Sequence, residues 1–513
     1  MRRPRPDRLV APGLAALAFA LALIQRPGLA TSDTKIGLHV DPVGFLSNVA
    51  SAWSPTEDLG HVQGGQYGGY LFPMGPFFAL ARLIGLSPWL AQRLWLGTVL
   101  AFAAWGVVRL LDALLAGRAR GVAHAVAGVL FLLNPYVAVF VARTSVTLLG
   151  YAALPWLLLC VVRGLRAPRS WWWPAAFALA VTCTGGGVNA AVTAWVLLGP
   201  LLLAAYERLT GAVAWRALVA FGWRTVLVTG LASVWWVVPT LVQSAHGVDF
   251  LKFTEQPGTI WSTTSLSESL RLMGYWISYL GVGYGGRLRP LFSDGGVLLF
   301  SWPVLVAGLL VPAACLTSFL AARRWRYGPF LLALALVGAL VMAAGFPEGT
   351  PLRRAMNFTY NHVLAVQFLR TTYKAGPLLA LALACLGGVG AARLAATRAR
   401  LLGAFALAAL AAVSCWPLVR GQALDSQLTW KAIPASWRAA AAHVDRTVGE
   451  NGRAVVLPGQ LYADYDWGGT VDAILPALAK RPVAVRYAVP YADLRAVDLL
   501  WTVDALVQQR RAL

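Results

Sequence analysis

Charge is what this sequence has least of. Only 12% of its residues are Asp, Glu, Lys or Arg, about half the share of an ordinary soluble domain at roughly 25%. A water-soluble globular fold is excluded. Acid is scarcer than base, 21 residues against 43. Cysteine is sparse too: Cys160, Cys183, Cys315, Cys385 and Cys415 lie in or beside apolar runs without a CxxC pair, which excludes a disulfide framework or a cysteine zinc site. There is no GxxxxGK[ST] and no strand-linked GxGxxG, and the glycine stretches at 64–69, 185–187 and 281–286 lack the lysine or following helix that a phosphate cradle needs. No charge sits in the middle of an apolar run and no repeat is visible, which argues against a proton-coupled transporter or an ion channel.

What is present is apolar length. The chain is 58% hydrophobic with a mean hydropathy of +0.64. A membrane span takes about 20 apolar residues, and splitting the runs at arginine loops and Gly/Pro breaks predicts an all-α polytopic membrane protein. About eleven spans are expected, near 9–25, 90–112, 121–141, 146–162, 171–186, 190–206, 222–243, 293–320, 328–345, 375–394 and 401–419. The first has no small-residue cleavage site at Gln25-Arg26-Pro27 and reads as a retained helix. Arginines cluster at every second connection: Arg118 and Arg120, Arg163 and Arg166, Arg208 and Arg216, Arg323 and Arg324, Arg398 and Arg400. That is the positive-inside pattern, with a cytoplasmic N-terminus and residue 420 onward outside. The net charge of +22 is therefore assigned to anionic membrane lipid and not to nucleic acid. All five lysines (Lys35, Lys252, Lys374, Lys431, Lys480) fall on the outer side.

Three outer loops are long, 26–89, 244–292 and 346–374, whereas inner connections are short, so the elaborated chemistry faces outward. After Arg420 the composition changes. A helix from Ser436 to about Val448, buried strands at Ala454–Leu457 and Val483–Val485, and a helix from Tyr491 to Leu506 predict the start of an extracytoplasmic α/β domain over 421–513, truncated relative to a longer protein.

An outward site in such a scaffold suits a lipid-linked sugar donor, because soluble nucleotide-sugars are made in the cytoplasm. Transfer from a lipid phosphate needs a base for the acceptor hydroxyl and positive charge for the departing phosphate. Asp33 and Asp41, in the first outer loop, are the candidate bases; the bland alternative for either is a helix cap. Glu57 and Asp58 read as solvated. His39, His61, Gln66 and Tyr67 read as acceptor or loop contacts, and His124, near an inner end, as structural. For the donor phosphate the sequence offers Arg370 and Lys374, spaced i,i+4 at the outer, positive end of a late span, with Arg353 and Arg354 as lesser candidates; the alternative is snorkelling to the interface. A lipid monophosphate carries little charge, so no metal ligand set and no cofactor are required, although a divalent ion is not excluded.

Several segments together resemble the actinobacterial α-(1→3)-arabinofuranosyltransferase AftD family. They are Gln66 to Phe78 (QYGGYLFPMGPFF), Pro88-Trp89 with Gln92-Arg93-Leu94-Trp95, Leu133-Asn134-Pro135-Tyr136, Gly185-Gly186-Gly187-Val188-Asn189, and Ala463 to Thr470 (ADYDWGGT). The resemblance runs through nearly the whole chain. It implies a GT-C glycosyltransferase of the bacterial plasma membrane that moves arabinofuranose, with inversion, from decaprenyl-phosphoryl-arabinose to the arabinan of arabinogalactan or lipoarabinomannan. The acid that this pattern places in the first outer loop falls on Asp33. Relatives often carry Arg-Glu-Pro-x-Lys before a late span; here Arg370-Thr371-Thr372-Tyr373-Lys374 keeps the cations and lacks the acid. A mannosyltransferase or another polyprenyl-phosphate-sugar transferase, a lipid-linked-glycan transporter and a non-catalytic scaffold are the alternatives.

Overall fold

Proline, asparagine and glycine cut the apolar runs into the helices of the computed structural model, which describes residues 7–510 apart from 34, 58, 116–120, 285–286, 395, 460, 488 and 490. The membrane part comprises α1 (Asp7–Leu23), α2 (Pro88–Leu114), α3 (Gly121–Leu132), α4 (Pro135–Arg143), α5 (Thr147–Arg166), α6 (Trp172–Thr182), α7 (Ala190–Leu209), α8 (Trp215–His246), α9 (Trp302–Thr317), α10 (Gly328–Ala343), α11 (Gly376–Arg393) and α12 (Thr397–Ser414). Each of the eleven expected segments meets a helix or a helix pair. Their lengths differ, however. Among the described residues seven helices are long and apolar enough to cross a membrane, and the bent pair α3–α4 would make an eighth. The helices at the expected spans 9–25, 171–186 and 328–345 are shorter, as is Met74–Leu83, an apolar helix inside 26–89, where the sequence predicts a loop. The full count of eleven spans is therefore not reached by length.

α11 is the axis of the fold. Every residue from Gly376 to Ala392 is buried, and the helix packs against α3, α5, α9, α10 and α12. α8 is its opposite. It carries large exposed apolar side chains such as Val226 (74% exposed) and Leu231 (67%), the surface that lipid covers. Its 32 residues rise about 48 Å, more than the ~30 Å hydrocarbon layer. Its last turns meet the first outer loop: a Cβ on Gly65 would lie 1.9 Å from Thr240 Oγ1 and 2.4 Å from the Trp236 carbonyl. The two glycine runs also touch each other, since a Cβ on Gly187 would lie 1.9 Å from the Gly65 carbonyl. Their glycines are there for close backbone approach.

The α3–α4 bend of 43° follows from Asn134-Pro135. Pro135 opens α4 at the one helical turn that tolerates it. Asn134 Oδ1 accepts from the Val137 N–H (3.1 Å), and its amide donates to the Leu130 and Phe131 carbonyls (both 3.1 Å) and to the Tyr151 hydroxyl (2.9 Å). A broken helix at membrane depth is tolerated only with its freed groups satisfied in this way.

The segment after residue 420 shares its sheet with the start of the chain. Strands β1 (Ala30–Thr31), β2 (Thr429–Trp430), β4 (Ala463–Tyr465) and β5 (Gly468–Val471) form one antiparallel sheet ordered β1-β2-β5-β4, with Ala30 opposite Trp430 and Thr31 opposite Thr429. Its edge strand comes from the first outer loop. Ala30, Ile36, Trp430, Ile433 and Ile474 close a small core beneath it. The expected strands at 454–457 and 483–485 shorten to a parallel pair, β3 (Ala454–Val455) and β6 (Val483–Ala484), and β3 is half-exposed instead of buried. Helices α13 (Ala435–Thr447) and α14 (Leu494–Gln508) match the expected ones.

Candidate active site

Asp33 follows β1, and the chain leading to it is held from two sides. Gln92, in the first turns of α2, pairs with both backbone groups of Thr31: its Oε1 accepts from the Thr31 N–H (2.9 Å) and its amide donates to the Thr31 carbonyl (2.8 Å). Next to it Arg93 donates to the Gln25 (3.0 Å) and Leu29 (2.7 Å) carbonyls. From the other side the Ser32 N–H donates to the Leu428 carbonyl at 3.0 Å. Asp33 is thereby buried, 5% exposed, against the gap between α4 and α5. There the Ser145 N–H and Oγ–H each donate to one of its oxygens at 2.5 Å. Burial pushes its pKa up from the model-compound 3.8 to about 6, against the lowering effect of the Ser145 bonds and the Arg93 charge. A carboxylate poised in that range, with one side held by donors, has the character of a general base.

Asp41 sits in a different setting. It is exposed, and its Oδ1 accepts from the Gly44 N–H at 3.2 Å to cap the helix Pro42–Val49. That is the bland alternative the sequence offered. His39 is buried edge-on against Phe78 (centroids 4.7 Å), and burial with the Arg93 charge pushes its imidazole down to about 3. His61 is 1% exposed; burial and the Lys35 charge lower it to about 4, and neither ring nitrogen has a hydrogen-bond partner among the described residues. Both histidines are neutral at physiological pH. Gln66 and Tyr67 are engaged within the protein: Gln66 Oε1 accepts from the Tyr491 hydroxyl (2.8 Å), and the Tyr67 hydroxyl donates to Glu57 (3.3 Å). The expectation that Glu57 is solvated is corrected. Burial pushes its carboxyl up, while Lys35 counters. Asp58 lies outside the described residues.

Sequence reasoning missed Lys35. Its ammonium lies 3.5 Å from Asp472 and over the rings of Tyr67 (5.3 Å) and Tyr491 (5.4 Å). Burial pulls its pKa down, but Asp472, Tyr491 and Glu57 overcome this and hold it above the usual lysine range. No periodicity could have found it, because Asp472 and Tyr491 are more than 400 residues away.

The late cations form a second pole. Arg370 ends one 3-10 helix (Leu364–Arg370) and Lys374 sits in another (Thr372–Ala375), so the expected i,i+4 face of a single helix is broken at Thr371. Arg370 Nε donates to the Glu255 carbonyl (3.0 Å) and an Nη to Thr254 Oγ1 (2.6 Å), with the Glu255 carboxylate at 3.7 Å. Its own carbonyl accepts from Trp261 Nε1 at 2.8 Å. The carboxylate beside Arg370 thus comes from the segment 244–292. Arg353 is buried over the Trp261 ring and bonded to the Gly345 carbonyl, and Arg354 is exposed. His124 Nε2 lies 3.3 Å from Asp112.

The two poles are joined through α4 and its surroundings. Just before Ser145, Arg143 donates to Ser278 (3.4 Å). One turn earlier Phe140 stacks on Tyr275 (4.9 Å), which meets Tyr373 (5.2 Å), the neighbour of Lys374. Tyr136, Phe140, Tyr275 and Tyr373 line a small cavity. Among the described residues no three His, Cys, Asp or Glu side chains converge as a metal site.

A family model described as "Alpha-(1->3)-arabinofuranosyltransferase, N-terminal GT-C domain" matches residues 17–513. The chain is 30% identical over 514 residues to the alpha-(1->3)-arabinofuranosyltransferase of Mycolicibacterium smegmatis, covering 97% of this chain and 35% of that one. To the protein of the same name from Mycobacterium tuberculosis it is 30% identical over 529 residues, covering 96% and 36%. Its fold is similar to the cryo-EM structure of arabinofuranosyltransferase AftD from Mycobacteria, with a TM-score of 0.76 and 26% identity over 97% of this chain and 33% of that one. The chain spans about a third of the length of the curated relatives it matches. Long apolar helices and these neighbours make it a multi-pass membrane protein.

Proposed function

The chain belongs to the α-(1→3)-arabinofuranosyltransferase family, whose N-terminal GT-C domain it carries, and on that premise we propose that it transfers arabinofuranose from decaprenyl-phosphoryl-arabinose to an arabinan acceptor. The site faces outward from the bacterial plasma membrane, with the N-terminus cytoplasmic. Asp33 takes the proton of an acceptor hydroxyl. That oxygen attacks the anomeric carbon with inversion, the carbon–oxygen bond to phosphate breaks, and the lipid phosphate leaves with the bonding electrons.

The observation that carries this reading is the setting of Asp33: a buried carboxylate, held by two donors from one serine at a helix break, with a pKa raised to about 6. It is ionised at neutral pH yet basic enough to accept a proton in the transition state. Arg370 and Lys374 meet the donor phosphate. Two cations against the single Glu255 carboxylate leave one net positive charge, which suits the single negative charge of a phosphodiester donor. No metal is needed to balance it.

Incorporation of labelled arabinose from the decaprenyl donor into an oligoarabinoside tests the reading. Asp33→Asn should abolish incorporation with membrane insertion intact. Undiminished transfer by that variant would defeat the assignment, because a transporter or scaffold is indifferent to it.

A further inference from the structure

We infer that Lys35 is a positioning residue for Asp33: by pairing with Asp472 it locks the first outer loop onto the segment after residue 420, and the lock holds the carboxylate against Ser145. The inference rests on the reading of Asp33 as the base.

Asp33 is bracketed. Two residues before it, Thr31 pairs with Thr429, and the Ser32 N–H donates to the Leu428 carbonyl. Two residues after it, Lys35 reaches Asp472, just beyond β5 of the same sheet. Both tethers lead to one body, which restrains Asp33 between them. The lock is itself braced. The Val483 N–H donates to the Thr56 carbonyl (3.0 Å), next to Glu57, and the Tyr491 hydroxyl holds Gln66. The Tyr67 and Tyr491 rings meet edge to face at 5.3 Å, and each lies against the Lys35 ammonium. Removing Lys35 leaves the half-buried Asp472 carboxylate without its cation, and Glu57 without the charge that counters its burial.

The influence on Asp33 is one of place. The groups that set the proton affinity of Asp33 are Ser145 and Arg93, together with its burial. Those around Lys35 are Asp472, Tyr491, Glu57 and Tyr70, with His61 beside them. Lys35 and Asp33 are neighbours in sequence and Tyr70 feels the charge of both, but Lys35 is not among the groups that set the proton affinity of Asp33. Opening the lock would therefore act on Asp33 by letting water reach it.

Two measurements on the full chain in membranes test this, using Lys35→Met, Asp472→Asn and the conservative Lys35→Arg. The first is carbodiimide labelling of Asp33 read by mass spectrometry, which needs no turnover. Labelling should rise severalfold in the Met and Asn variants and stay low in Lys35→Arg. The second is the pH profile of arabinose transfer. The Met and Asn variants should lose on the order of 10²-fold in kcat with the donor KM barely changed. Their acid limb should slide from near pH 6 toward the ordinary carboxylate range, because a hydrated Asp33 ionises more readily. A variant that only lowers the folded fraction leaves that limb in place. Unchanged Asp33 labelling in Lys35→Met would overturn the inference. Full activity in Asp33→Asn would instead overturn the base assignment, while the labelling experiment still judges the lock.

Discussion

The acidic and cationic poles of the site are built on opposite plans. Asp33 is held by neutral donors and, among the described residues, has no directly bonded cation: Ser145 supplies both hydrogen bonds and Arg93 contributes only from a distance. Arg370 is already paired and bonded, to Glu255 and Thr254. A base must keep its proton affinity, and a direct salt bridge would remove it. A phosphate anchor must keep its charge and lose its mobility, and a carboxylate partner does both. The difference between the poles is a difference between what the two ends of the reaction demand.

The sharpest way to break that comparison is Asp33→Asn. Loss of a general base costs 10²–10⁴-fold, read as turnover with the labelled donor. The same change should stabilise the protein at neutral pH. Asp33 has a folded-state pKa raised from 3.8 to about 6, so its contribution to stability is full below the unfolded value and is lost as pH rises through about 6. The shift corresponds to roughly 3 kcal/mol at most, so thermal unfolding at pH 7 should occur at a higher temperature in the variant. A lower unfolding temperature would show that the Ser145 contacts outweigh the burial cost. Next in size is Lys374→Gln, which removes the net positive charge of the other pole. A loss of about 10²-fold is expected, with the acid limb unmoved; a displaced acid limb would mean that the poles are not separate.

Ser145→Ala sharpens the comparison. Its two bonds lower the pKa of Asp33, and a hydrogen bond to a charged group is worth about 1.5–3 kcal/mol. The acid limb of kcat/KM should therefore move upward by about one pH unit. An unmoved limb would mean that another donor sets it. The smallest effect belongs to Asp41→Ala, where loss of a cap should cost about 1 kcal/mol in unfolding and leave turnover as it was. A large loss of turnover would return Asp41 to the site.

What the sequence revealed follows from which contacts are local. The apolar segments were legible because a run of side chains is its own signal, although α1, α6 and α10 fall short of full span length. Arginine bias and loop order single out Asp33 as a candidate, but its burial against Ser145 carries no sequence mark. The Arg370–Lys374 spacing was visible, but the break at Thr371 was not, because two consecutive 3-10 turns carry no periodic mark. Lys35, Glu57 and the serine that holds Asp33 could not be found. Their partners lie on other elements, and a break such as Thr144–Val146 looks like any other part of a long apolar run. The boundary drawn at residue 420 was a real change of composition, yet the sheet takes its edge strand from residues 30–31.

That edge strand has a consequence for biogenesis. Residue 30 leaves the ribosome about 400 residues before its partner at residue 430. At about 5–20 residues per second, the gap lasts on the order of tens of seconds. For that interval the loop that carries residue 30 has no strand to complete. On the proposed reading, competence for transfer then arrives late, after the last hydrophobic helix has been made, and a nascent chain would stay silent until translation has passed the whole bundle.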